Sequence, residues 1–263
     1  ISAQRGELNQ AGHLYLDLAK LTKSISLAER ATRIAGSAKN GRLAMDSANI
    51  WQKLDKSSIE PQRILAELFI TSGNLAKARP LIKKLLVQQE KSRAEGFLYL
   101  NKILSQVENK KNALRFILDV SKPYLDIPEA RFAIAHAAFS AGNKKMAIEE
   151  LDKIESINPK WETAALFRGY IIGLEWPEKA LAFYDEFLEN NPKSNEVRLE
   201  YAKALTNLKK FDEAKEQFLK LVNSSLASSE ISLTVALLAI ELGDNVLAEK
   251  YFLQSLERGY KKP

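Results

Sequence analysis

SAGNKKMAIEEL occupies residues 140–151. A small-residue turn, Ala141-Gly142-Asn143, breaks one apolar run, and a second run starts at Met146 and Ala147. The same cassette stands earlier as TSGNLAKARPLI (71–82) and later as ELGDNVLAEKYF (241–252). Working outward along the alanine that follows each turn, Ala78, Ala113, Ala147, Ala180, Ala214 and Ala248 are separated by 35, 34, 33, 34 and 34 residues. Ala44 and Ala11 extend the series backward by 34 and 33. A fixed period of this size marks a repeat architecture.

Each period carries one plan. In LEYAKALTNLKKFDEAKEQFLKLV (199–222), Leu199, Ala202, Leu205 and Leu208 recur at helical spacing, Lys209-Lys210 interrupts, and Phe211, Ala214, Phe218 and Leu221 form a second stripe. Two amphipathic helices joined by a tight turn make a helical hairpin. A small residue in mid-helix lets the two backbones approach, and the large residue four positions later fills the gap left by the neighbouring unit. One hairpin cannot bury both stripes, whereas stacked hairpins can, so the pattern predicts an all-α solenoid.

This 34-residue hairpin, with its mid-helix small residues, Gly-Asn or Gly-Asp turn and closing Pro, resembles the tetratricopeptide repeat. The small residue of the first helix is matched by Ala66, Ala135, Ala202 and Ala236, and the large residue of the second by Ile82, Leu151, Tyr184, Phe218 and Phe252. The closing proline is matched by Pro159 in INPK and Pro192 in NNPK. The resemblance implies a right-handed α-solenoid of stacked helical hairpins over residues 1–263, with units starting near 25, 59, 94, 128, 162, 195 and 229 after a partial unit 1–24. In that partial unit ISAQRG is expected to end one helix and ELNQAGHLYLDLAKLT to form the next. Glu108 and Lys209 stand where the turn wants Gly, and LEWPEKAL (174–181) crowds Trp176-Pro177 into another turn, so distortion is expected at all three. Pro80 falls early in a second helix and is expected to leave its start intact.

RGELNQAGHLYLDLAKLTKSISLAERATRIAGSAKNGRLAMDSANIWQKLD (5–55) is also similar to the opening repeats of Gram-negative tetratricopeptide lipoproteins, among them an adaptor for a carboxyl-terminal processing protease. That resemblance implies a periplasmic scaffold, tethered to the outer membrane by a lipid on a segment absent here, with a periplasmic protease or envelope assembly factor as partner. A cytoplasmic location is the alternative. The first residue is Ile1 rather than Met, and both ends fall inside a unit. The expectation is a fragment of a longer repeat protein, with apolar end faces left open or covered by self-association.

Composition narrows the chemistry. The chain is 46% hydrophobic with only 11 Gly and 8 Pro, which favours long helices over many tight turns. The formal charge of +6 is mild, and signs interleave as in KKFDEAKEQFLK (209–220), which reads as solvated helix faces rather than a nucleic-acid groove. No cysteine is present, which removes disulfides, thiolate metal sites and thiol nucleophiles. No run approaches the ~18 apolar residues of a membrane span. His13 and His136 lie in different units, acidic pairs such as Glu149-Glu150 sit on amphipathic helices, and no glycine-rich phosphate loop occurs. Neither a catalytic constellation nor a metal or cofactor site follows from these residues. Trp51 is expected in the core, and Trp161 and Trp176, at unit junctions, are expected to pack there, with an exposed contact as the alternative.

What remains is surface. By the tetratricopeptide pattern the first helix of each unit faces the concave wall. That assigns Arg63 and Glu67, then Leu98 and Lys102, then Phe132, His136 and Phe139, then Leu166, and then Leu199 and Lys203, with Leu233 and Leu237 closing the series. Aromatic anchors with Lys at the edges suit a protein or peptide partner. No unit has the Lys-then-Asn pair of the chaperone-tail clamp, so chaperone carboxyl tails are not the expected ligand. The reading is a non-enzymatic scaffold or adaptor. The alternative is the substrate-holding arm of a larger enzyme whose catalytic domain lies elsewhere.

Overall fold

The computed structural model describes residues 2–259 apart from 89 and 225, with the side chains of residues 2–5 and 90 set aside. The described residues form helices and turns and no strand. The helices are α1 Ser2–Thr22, α2 Ile25–Ser37, α3 Gly41–Leu54, α4 Glu60–Thr71, α5 Leu75–Gln88, α6 Arg93–Leu104, α7 Lys110–Ser121, α8 Pro128–Ser140, α9 Lys144–Ile157, α10 Glu162–Gly173, α11 Pro177–Asn190, α12 Asn195–Asn207, α13 Phe211–Val222, α14 Ser229–Glu241 and α15 Asn245–Glu257. The chain divides into two compact units, Ile1–Glu150 and Leu151–Pro263, the boundary falling inside α9. Each unit is an α-solenoid of hairpins packed in chain order.

The opening cassette shows how a hairpin closes. Gly142 ends α8 with φ at 82°, a left-handed conformation that a residue without Cβ adopts freely. There its N–H reaches the Phe139 carbonyl at 2.9 Å, and the Asn143 N–H reaches the Ala138 carbonyl at 2.8 Å. These two bonds satisfy carbonyls that the end of the helix leaves orphaned. The Asn143 side chain then accepts the Met146 N–H at 3.1 Å and caps α9. One dipeptide thus stops the first helix and starts the second. Gly73-Asn74 and Gly243-Asp244 repeat the device, with φ of 76° and 73° at the glycines.

The expected distortions turn out differently at the three turns. Lys209 adopts the same left-handed conformation, φ 59°, and Lys210 N–H still reaches the Leu205 carbonyl at 2.9 Å, so this turn keeps its form despite the missing glycine. The Glu108 turn is longer, spanning 105–109, and no residue in it has positive φ. Between α10 and α11 no residue is left-handed either. Trp176 N–H bonds back to the Ile172 carbonyl at 2.9 Å, and Pro177 opens α11 at a position where its missing N–H costs nothing. The turn has three residues like the others, and it is α10, at 12 residues against 13 for α8 and α12, that accounts for the 33-residue step from Ala147 to Ala180.

Two sequence expectations need correction. α1 runs unbroken through Gly6. A lone glycine costs a helix only about 1 kcal/mol against Ala, and Gly6 is followed by Glu7 rather than by a capping Asn or Asp. Trp176 is 52% exposed rather than packed, with the Lys179 ammonium 4.9 Å from its ring centroid. Trp51, by contrast, is in the core. α5 does start at Leu75, ahead of Pro80, as expected. Pro80 is its sixth residue, beyond the first turn, so the carbonyl of exposed Ala76 is left to water.

The core follows the repeat. Ala78, Ala113, Ala147, Ala180, Ala214 and Ala248 are buried, as are Ala66, Ala135, Ala202 and Ala236. Their partners Ile82, Leu151, Tyr184 and Phe218 are buried too, while Phe252 is half-buried and its neighbour Tyr251 takes the inward place. In the first unit, Phe97, Phe116, Ile117 and Leu100 join α5 to α8 in one cluster. In the second, Tyr184, Phe187, Tyr201, Leu205 and Phe218 do the same from α11 to α13. Leu14, Leu18 and Leu21 on α1 and Val246, Leu253 and Leu256 on α15 are exposed, so both end helices carry open apolar side chains.

Candidate partner-binding site

The first unit holds a cavity of about 290 Å³ between α4, α5 and α6. Its floor is apolar, made by Ala66, Ile82, Leu85, Leu86, Leu100 and Ile103. Its rim is charged. Arg63 and Glu67, one turn apart on α4, face it together with Glu95 and Tyr99 of α6. The Arg63 guanidinium donates to both oxygens of Glu60, from Nε at 3.2 Å and Nη2 at 2.7 Å. That bond, more than the neighbouring charges, raises its pKa. Burial first, and the neighbouring Glu67 carboxylate second, push the Tyr99 phenol well above its ordinary value. Tyr99 is therefore a neutral donor at the rim, beside the Glu67 carboxylate. Arg93, also at the cavity, is held by Nε to the Leu86 carbonyl at 2.7 Å and by its guanidinium 5.0 Å from the Tyr124 ring centroid.

The other predicted wall residues divide. Leu98 and Lys102 are exposed on α6 but do not line this cavity. In the second unit, Leu199 and Lys203 line a separate depression of about 400 Å³ with Thr206, Leu226, Ile231 and Thr234. Lys203 Nζ also reaches Glu200 at 2.7 Å. Leu166 is half-buried against the core of that unit. His136 and Phe139 are half-buried on α8. Phe132 is only 7% exposed and belongs to the core, which corrects its reading as an exposed anchor. The physical reason is the run of small residues around it. Ala130, Ala133, Ala135, Ala137 and Ala138 bring neighbouring helices close to α8, and a long side chain among them is covered.

Residues 128–160, spanning the turn that closes α8 on α9, match the family model of the tetratricopeptide repeat. The chain contains a tetratricopeptide repeat. Arg131 Nη1 pairs with Glu150 Oε2 at 2.9 Å across this repeat, both side chains largely buried. None of the curated proteins compared with the chain matches it. Among solved structures, a tetratricopeptide repeat protein from Parabacteroides merdae ATCC 43184 is 13% identical over 91% of this chain and 95% of its own, with a TM-score of 0.49. YrrB, described as a TPR protein with an unusual peptide-binding site, is 17% identical over 68% of this chain and 92% of its own, at 0.47. MamA from Desulfovibrio magneticus RS-1 is 15% identical over 62% and 93%, also at 0.47. The repeat assignment rests on the family-model match together with the helix pairing.

Within the matched repeat, His136 lines a narrow cleft with Asn101, Ser105 and Lys110. Burial first, and the Lys110 charge second, hold its imidazole below the ordinary value of 6.5. The unfolded chain then takes up a proton in a range where the folded chain does not. Stability is therefore lost as pH falls below the ordinary value, and the loss stops once the folded imidazole protonates. Between about pH 7 and pH 5 the wild type should lose more stability than His136→Gln, measured by urea unfolding. Identical pH dependence in the two proteins would contradict the assignment.

Among the described residues no group of three or more His, Asp or Glu is placed to hold a metal ion, and no helix is long and apolar enough to cross a membrane. Tyr99 escaped the sequence reading because it sits one position beyond Leu98, off the wall stripe. The available signal was a lone aromatic on the polar side of α6.

Proposed function

We propose that the chain is a non-enzymatic scaffold or adaptor that binds a protein or peptide partner, and that it does so at the cavity between α4 and α6. The observation that carries this is the combination at that place of an apolar floor with a rim whose donors and acceptors are already oriented. Arg63 is held by Glu60 through both of its oxygens, so a partner side chain entering the cavity meets a cation that needs no further ordering. Pre-ordering lowers the entropic cost of association. The similarity of residues 5–55 to periplasmic lipoprotein adaptors supports an envelope location, tethered to the outer membrane, and a partner such as a processing protease or assembly factor.

The test uses the chain as bait in bacterial envelope extract, wild type beside Arg63→Glu/Glu67→Lys, with captured proteins identified by mass spectrometry. A partner gripped at this rim should be lost by about ten-fold or more in the swapped variant, as hot-spot changes produce. Equal capture by both proteins, each folded by circular dichroism, would move the binding surface elsewhere.

A further inference from the structure

The charge of this chain is not spread evenly. Residues 75–122 contain eleven Lys or Arg and four Asp or Glu, while the other 215 residues contain twenty-eight and twenty-nine. The net positive charge of the whole chain therefore lies in this one segment, and the interleaving expected from the sequence holds only outside it. The structure concentrates it further. On α5, Arg79, Lys83 and Val87 fall at i, i+4 and i+8, along one side of the helix, and all three are exposed. On α7, Lys111, Arg115 and Leu118 fall at i, i+4 and i+7 and are exposed along one side, with exposed Lys122 just beyond. The two stripes adjoin, because the Asp119 carboxylate of α7 forms ion pairs with Lys83 Nζ at 2.9 Å and Arg79 Nε at 3.2 Å. Lys122 lies close enough to act on the same carboxylate, whose pKa the Lys83 hydrogen bond lowers first. One anion thus stands among five cations.

We propose that this paired face of α5 and α7 docks on an anionic lipid surface. Three features favour lipid headgroups over an acidic protein. The cations are strung along two helices rather than gathered at one point, which suits a field of laterally mobile charges better than a few fixed carboxylates. Val87 at 64% exposure and Leu118 at 38% stand among them, the apolar component that inserts at a headgroup boundary. Lys and Arg stems can lie along that apolar surface while their charged ends reach phosphates. Outside this segment the chain is close to neutral, so the attraction would be local and oriented. The proposal is independent of the cavity between α4 and α6.

The experiment is vesicle co-sedimentation with the intact chain. Vesicles of phosphatidylcholine with about 30% phosphatidylglycerol should bind it, and pure phosphatidylcholine should not. Binding should weaken steeply between about 0.05 and 0.5 M salt. Lys111→Gln/Arg115→Gln/Lys122→Gln should cut vesicle affinity by at least about ten-fold, since each cation near such a surface contributes about 1 kcal/mol. Arg79→Gln/Lys83→Gln on α5 should weaken it in the same direction, which keeps the test open if the first variant melts early. Removing Lys179, Lys209 and Lys250 instead should change nothing. No binding to the anionic vesicles, or equal loss from that control variant, would overturn the proposal. So would capture of poly-glutamate in place of vesicles, which would assign the face to an acidic protein.

Discussion

Phe132→Ala is expected to destabilise the first unit by about 3–5 kcal/mol, as truncation of a buried Phe does. Phe132 lies in the most alanine-rich helix of the unit, and neighbouring helices approach α8 too closely to collapse into the space its ring would leave. The cavity term adds to the lost transfer energy for that reason. Phe139, half-buried seven residues later, should cost clearly less. Urea unfolding of the two single variants, followed by circular dichroism, separates the positions. A Phe132→Ala protein as stable as wild type would return this residue to the exposed wall on which the repeat pattern places it.

Gly169→Ala carries the second large effect. Its own Cβ would lie inside the van der Waals envelope of the Tyr184 ring, against Cζ, Cε1 and the hydroxyl. Tyr184 is itself buried, with the Tyr201 ring centroid 6.4 Å away, so the ring has little room to retreat. Overpacking of this kind costs about 1–3 kcal/mol. Tyr184→Leu made alone leaves a cavity, but in combination with Gly169→Ala it should recover part of the loss. A coupling of about 1–2 kcal/mol in the double-mutant cycle is the expected signature. Strict additivity of the two substitutions would show that the helices do not meet at this point.

The same glycine shows how far the sequence could be read. The alanine series gave away the helix pairs, because a small residue every 33–35 positions is a direct imprint of backbone approach. Gly169 stayed hidden within it. The first-helix alanines elsewhere stand twelve residues before the anchor alanine, and that offset from Ala180 points at Arg168, because α10 is one residue shorter than α8 and α12. The Lys209 turn was misjudged for another reason. Closure there needs a left-handed residue followed by a capping position, and a lysine can be held left-handed at a cost of about 1–2 kcal/mol when the surrounding hydrogen bonds require it. At the candidate site the stripe rule located Arg63 and Glu67, which do share a cavity. It could not locate Tyr99, whose place depends on how α6 lies against α4, nor could it foresee that Phe132 is covered. The charge asymmetry was legible all along from a running count over 75–122. The interleaved stretch 209–220 is typical only of the remainder of the chain.

A partner is expected to seat on the rim formed by α4 and α6. Amide hydrogen exchange of the chain, alone and with its captured partner, tests it most directly, because protection reports burial segment by segment. The account predicts added protection centred on 60–71 and 93–104, around Arg63, Glu67 and Tyr99. Protection confined to the second unit, or to the exposed sides of α5 and α7, would contradict it.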